Sequence, residues 1–197
     1  SYGAQHEAAG TVLRVVGGEF RGDSTGLYVT AGSPLVDGTL FDADSNAVTV
    51  SGGSLTVANA QVLRSSSYGV FVSGAGAVTL TSCTVHGNGS TGVYVSGSSA
   101  RATVRDSVVT SNGSYGVYSS SIAPSVTYSD VWGNSSGNYG GAASAGTGAI
   151  SSNPLFVNTT TNLRLTSNSP ARNSASAGAA MGALPYTGDA TPGLHGT

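Results

Sequence analysis

Tyr68-Gly-Val-Phe-Val72, Thr91-Gly-Val-Tyr-Val95 and Tyr115-Gly-Val-Tyr118 are three returns of one short motif. Its glycines fall at 69, 92 and 116, so it recurs after 23 and then 24 residues. A recurrence of that length, with strand-forming residues at each return, signals stacked supersecondary units rather than an ordinary globular core.

Working outward, the register runs through coils of 21–24 residues, whose first strands begin near Gly26, Ala47, Gly69, Gly92 and Gly116. Leu27, Val48, Val70, Val93 and Val117 align, and two residues later so do Val29, Val50, Val72, Val95 and Ser119. Alternation along a strand puts both columns on one face, the inner one. After a Gly/Ser turn, a second strand aligns Val36, Val57, Leu80, Val104 and Val126. A short third strand aligns Phe20, Phe41, Val62, Val85, Val109 and Val131. A corner column follows: Asp23, Asp44, Ser65, Asn88, Asn112 and Asn134. Asn and Asp tolerate left-handed backbone and suit a sharp turn repeated in each coil. The expected fold is all-β, a parallel β-helix of about six to eight coils with three short strands each. Residues 1–185 form one domain, with regular coils over 11–134, an irregular link over 135–151 and a closing coil over 152–185; 186–197 read as a tail.

Composition agrees with an ordered, turn-rich β protein. Charged residues are only 8% of the 197, against roughly 25% in ordinary domains, while 39% are hydrophobic and the net charge is −2. No lysine occurs and the seven arginines are dispersed, which argues against nucleic acid or an anionic membrane surface as partner. No apolar run is long enough for a membrane span. The single Cys83 excludes a disulfide within the chain.

With these residues in register, the chain resembles the right-handed parallel β-helix proteins of the pectate-lyase-like superfamily, secreted bacterial type. The resemblance rests on the Gly-Val-Tyr-Val returns, on Leu80–Asn88 and Val104–Asn112, and on Ser152-Asn-Pro-Leu-Phe-Val-Asn158. That last motif leads to Asn162-Leu-Arg-Leu165, Ser169-Pro-Ala171 and Met181-Gly-Ala183. It implies an extracellular or cell-surface protein whose stack closes with a proline-anchored strand. The superfamily holds lyases, hydrolases, adhesins and passive scaffolds, so the fold leaves activity open.

Family enzymes that cleave acidic polysaccharides use clustered carboxylates, to hold calcium or as general acid and base, and the lyases add an Arg or Lys base. Here the outward columns Asp42, Leu63, His86, Thr110, Trp132 and Asp37, Ala58, Thr81, Arg105, Thr127 place no carboxylate beside another. No catalytic residue and no cofactor are expected. Asp23 and Asp44 neighbour one another at the corner, as a minimal cation pair or as solvated turn residues. His86, Arg105, Asp106 and Trp132 form the densest polar cluster, either a sugar grip or ordinary exposed residues. Tyr28, Phe71, Tyr94 and Tyr118 form an outward ladder, with Thr49 between the first two. Such a stripe can stack on sugar or dock a protein, or it can simply brace the sheet.

Arg21-Gly-Asp-Ser24 matches an integrin-binding tripeptide, a coincidence expected of common turn residues. Asn-X-Ser/Thr sequons stand at Asn88, Asn112, Asn134 and Asn158, where glycans would line one edge of the rod, or where turn chemistry alone explains them. The leading functional reading is a non-catalytic structural or adhesive β-helix that stacks end to end on itself or on a neighbouring domain. The alternative is a polysaccharide lyase, glycoside hydrolase or carbohydrate-binding module.

Overall fold

The computed structural model describes residues 1–10, 13–184 and 186. Three parallel sheets of seven, six and six strands wrap one core, and each coil contributes a strand to each sheet in turn. The first sheet runs from Tyr2–His6 through Thr25–Val29, Asn46–Val50, Val70–Val72, Val93–Val95 and Tyr115–Ser119 to Gly137–Gly141. The pairing register is the one expected, with Val48, Val70, Val93 and Val117 stacked coil upon coil.

Valine and leucine dominate the interior because parallel strands alternate strictly and one face of each is sealed from water. Leu27, Val48, Val57, Leu80, Val104 and Val131 are all fully buried. Each such side chain stabilises the fold by roughly 1.5–3 kcal/mol relative to exposure.

Both sharp corners turn on a residue with left-handed backbone, joined in the first coil by a second, Gly18. Between the second and third sheets it is Gly17, Gly38, Asn59, Ser82, Asp106 and Tyr128. Between the third and first sheets it is Gly22, Ala43, Arg64, Gly87, Ser111 and Gly133. The second set corrects the sequence reading. The Asp and Asn of the corner column follow the left-handed residue and do not themselves supply it.

Three boundaries also differ from expectation. The stack begins with Tyr2–His6, which pairs with Thr25–Val29, although residues 1–10 show no period. The link over 135–151 contains Gly137–Gly141, a full strand of the first sheet whose glycines hide it from hydrophobic patterning. The closing segment is not a further coil. Phe156–Asn158 and Asn162–Leu165 form an antiparallel hairpin, and residues 153–184 run back along the outside of the third sheet. There Val108 meets Leu165, Ala171, Ala175 and Met181 in a second small core. The expected tail lies outside the described residues except for Tyr186, whose ring sits 4.2 Å from the Arg172 guanidinium. Val12 also lies outside them.

Candidate functional site

The outward face of the first sheet carries the aromatic ladder. Its register is Gln5, Tyr28, Thr49, Phe71, Tyr94, Tyr118 and Gly140, one residue per coil. Thr49 divides the stripe into two stacks. Tyr28 stacks on Tyr2 at 5.3 Å, and its hydroxyl accepts from Ser51 Oγ at 3.0 Å. Phe71, Tyr94 and Tyr118 follow one another at 5.5 and 5.4 Å between ring centroids. Tyr68 and Tyr115, from the adjoining column, join this second stack at 5.1 Å from Tyr94 and 5.2 Å from Tyr118 respectively. All of these rings except the exposed Tyr2 are half-buried, so the stacking both braces the sheet and leaves edges and hydroxyls at the surface.

A shallow open groove of about 240 Å³ lies within the second stack, lined by Tyr68, Ser90, Thr91, Tyr94, Ser114, Tyr115 and Tyr118. Every one of these described residues carries a hydroxyl, and four of them an aromatic ring. Ser90, Thr91 and Ser114 were not singled out in the sequence. The signal that could have found them is Thr91 itself, a small residue standing where the coils on either side place Tyr68 and Tyr115.

The corner column turns inward. Asp44, Ser65, Asn88, Asn112 and Asn134 are all buried. Asn88 Nδ2 donates to Asn112 Oδ1 at 2.9 Å, and Asn112 Nδ2 donates to Asn134 Oδ1 at 2.8 Å. Each of the three amides also donates to a carbonyl of the preceding coil, at Val62, Val85 or Val109. This overturns two expectations. Asp44 is not a solvated corner residue, because burial leaves its Oδ2 without a hydrogen-bond partner. Glycans cannot decorate Asn88, Asn112 or Asn134 in this fold, because their amides are spent inside it. Asn158 alone among the four sequons is exposed, and its Oδ1 accepts from the Thr160 and Thr161 amides in the hairpin turn.

Asp44 Oδ1 accepts from the Asp23 amide at 2.8 Å, and burial pushes the Asp44 carboxyl above the ordinary aspartate range. Asp42 is also buried, between the guanidinium groups of Arg21 at 2.9 Å and Arg64 at 2.6 Å. Arg21 is thus tied to Asp42 and to Glu19. Among the described residues no group of three or more His, Cys, Asp or Glu is placed to hold a metal ion.

The polar cluster read from the sequence does not assemble as a sugar grip. Its column faces outward from the third sheet, as expected, but the closing segment covers much of it. His86 is buried, with Nε2 3.0 Å from the Thr159 carbonyl and its ring edge-on to Phe156. Asp106 accepts from the Ser176 amide at 2.6 Å and from Ser176 Oγ at 3.0 Å, and Arg105 also reaches that hydroxyl. Thr110 lies between His86 and Trp132 in the register, and Trp132 is half-buried. His86, Arg105 and Asp106 fasten the returning segment to the coil.

Residues 46–182 match the model of a family described as the right-handed β-helix region. Comparison with curated proteins and with solved structures returns no match. Among the described residues no helix is long and apolar enough to cross a membrane.

Proposed function

Because the chain belongs to the right-handed β-helix family, we propose that it works by contact rather than catalysis, as a structural or adhesive rod outside the cell or at its surface. The observation that carries this reading is the wall of the groove on the first sheet. Four tyrosines, two serines and a threonine line it, a wall suited to stacking and hydroxyl contacts, with no carboxylate, histidine or lysine among the described lining residues to pair with a tyrosine in acid–base work. Three polar groups singled out in the sequence are engaged elsewhere: Asp42 with two arginines, Asp106 with Ser176, His86 under the hairpin. The likeness of the Ser152–Asn158 and Met181–Ala183 motifs to secreted bacterial members supports an extracellular setting.

The first coil supports end-to-end association as part of this role. Ala4, Leu13, Val15 and Phe20 are only partly buried there. Among the described residues, the strands Tyr2–His6, Arg14–Val16 and Glu19–Arg21 each pair on one side only. Unpaired parallel edges above half-covered apolar side chains form a template for another coil. A second copy of the rod, or a preceding domain, fits that face, and a heterologous contact between copies extends into a filament if its rotation does not close.

The test is a turnover screen on uronate-containing and neutral polysaccharides, with and without calcium, run beside electron microscopy over a range of concentrations. The expected result is no product, and rods that lengthen with concentration. Product release would replace this reading with the lyase or hydrolase alternative, and particles of one length at every concentration would remove the filament.

A further inference from the structure

The groove exists because one coil breaks a column of tyrosines. The backbone ladder bonds Gly69 N to Thr91 O and Gly92 N to Tyr115 O, so Tyr68, Thr91 and Tyr115 occupy the same place on successive coils. Where both coils carry a large ring, side chains on this face close up to about 5 Å, as Phe71 and Tyr94 do. Across Thr91 the flanking tyrosines are rooted two strand spacings apart, roughly 9–10 Å. That leaves a slot in the column at Thr91. Buried Thr91, with Tyr94, Tyr118, Ser90 and Ser114, lines it beside the two flanking tyrosines.

We propose that this slot binds a single uncharged sugar ring within a neutral glycan chain. The inference rests on the contact role argued above and names its ligand. Aromatic faces and edges match the C–H surface of a pyranose, and hydroxyls of Tyr, Ser and Thr exchange hydrogen bonds with its hydroxyls. The groove is small, so it takes one residue of a chain and not an extended segment. Among the described residues no arginine, histidine or carboxylate lines it. A uronate carboxylate entering here would lose water and meet no cation, which selects against acidic glycans. The slot lies open on a flat sheet, so the chain can enter and leave sideways without any part of the rod moving.

The experiment measures binding of cellohexaose, mannohexaose and maltohexaose, with hexagalacturonate as the acidic probe, by saturation-transfer NMR and tyrosine fluorescence. The expected result is binding of at least one neutral probe and weaker binding of hexagalacturonate. Thr91→Tyr completes the tyrosine column and fills the slot, so it weakens binding by about tenfold or more, while far-UV circular dichroism and Tm report an intact fold. Tyr115→Ser removes one wall and serves the same purpose should the larger side chain disturb folding. Thr49→Tyr fills the other gap in the ladder, away from the slot, and leaves affinity unchanged. Failure of every neutral probe to bind, preference for hexagalacturonate, or undiminished binding by a folded Thr91→Tyr and Tyr115→Ser overturns the inference. Cleavage of a probe is read out separately by product analysis. It would sink the non-catalytic reading while leaving the slot in place if the two variants still lose binding.

Discussion

Asn112 Oδ1 accepts two hydrogen bonds from Asn88, one coil before it: the backbone amide at 3.1 Å and the side-chain Nδ2 at 2.9 Å. The same relation repeats between Asn112 and Asn134, at 3.0 and 2.8 Å. A corner that bends this sharply withdraws backbone groups from the sheet ladders, and the asparagine amides replace what the bend removes. Asn112→Ala leaves the Asn88 backbone amide and one of the two Asn88 side-chain N–H groups without a partner in a buried corner, while the bond to the Val62 carbonyl remains. An unsatisfied buried donor costs about 1–3 kcal/mol, so the variant loses roughly 2–4 kcal/mol in urea unfolding, with the midpoint shifted and the slope unchanged.

The glycine of the recurring Gly-Val-aromatic motif answers to this ladder. A Cβ on Gly92 would stand 2.7 Å from Asn112 Nδ2 and 2.8 Å from the Gly116 carbonyl. Gly69 meets Asn88, and Gly116 meets Asn134, in the same way. Backbone dihedrals do not demand these glycines; the space beside the amide does. Gly92→Ala should cost about 2 kcal/mol or more, in the range of overpacked cores. Because both changes strike one contact, Gly92→Ala and Asn112→Ala combined lose less than the sum of their separate costs. Simple additivity in that cycle would show that the glycine has another purpose.

Asp44 occupies an asparagine's place without an asparagine's donor. Its amide counterparts reach the Val62, Val85 and Val109 carbonyls of the preceding coil, whereas its Oδ2 has no partner. Desolvation first, and repulsion from Asp23 and Asp42 after it, raise its pKa above 3.8 against the opposing pull of the Asp23 amide. A raised carboxyl pKa means that the folded state favours the protonated form. The stability tied to it is therefore complete below 3.8 and is lost as pH rises through the folded value. Asp44→Asn supplies the missing donor and should stabilise the rod by about 1–2 kcal/mol at pH 7. Thermal unfolding at pH 4 should show that gain shrinking, since Asp44 is then increasingly neutral.

The coil was legible because the inner columns need only strict alternation and a fixed return, which Val70, Val93 and Val117 display plainly. The corners were legible as corners, but not in direction. Asn at a turn satisfies a surface preference and an inward ladder equally well, and only the glycine packed beside each amide separates the two. The first and last strands of the first sheet were hidden for a different reason. Tyr2–His6 and Gly137–Gly141 hold their places mainly by backbone pairing, with little apolar patterning to reveal them. The aromatic face was foreseen in outline. Its groove was not, since it depends on what Thr91 lacks. The closing segment was misplaced because Leu165, Ala171 and Met181 follow no period that links them to Val108.

That segment is held by two buried titratable groups of opposite sign, and its pH response should expose both. Near the hairpin, burial lowers the His86 pKa below 6.5, the Thr159 carbonyl opposes this, and Arg64 adds to it. Nδ1 makes no hydrogen bond in the structure, and the weak pull of the Thr110 backbone does not offset the cost of a buried charge there. Folding then favours neutral imidazole: the stability is present above 6.5 and is lost as pH falls below it. At the segment's root, Asp130 accepts from the Ser152 amide at 3.1 Å through Oδ1, while its buried Oδ2 is unpartnered. Desolvation raises its pKa from 3.8 to about 6, so its contribution is present in acid and is lost as pH rises through about 6. Asp130→Asn should therefore raise stability at pH 7.5 by about 2 kcal/mol and change little at pH 4. His86→Gln keeps a donor for the Thr159 carbonyl and should remove the fall in Tm between pH 7 and pH 5. The two variants must bend the pH–stability curve in opposite directions; matching changes would mean that the segment is fastened by its apolar contacts with Val108 alone.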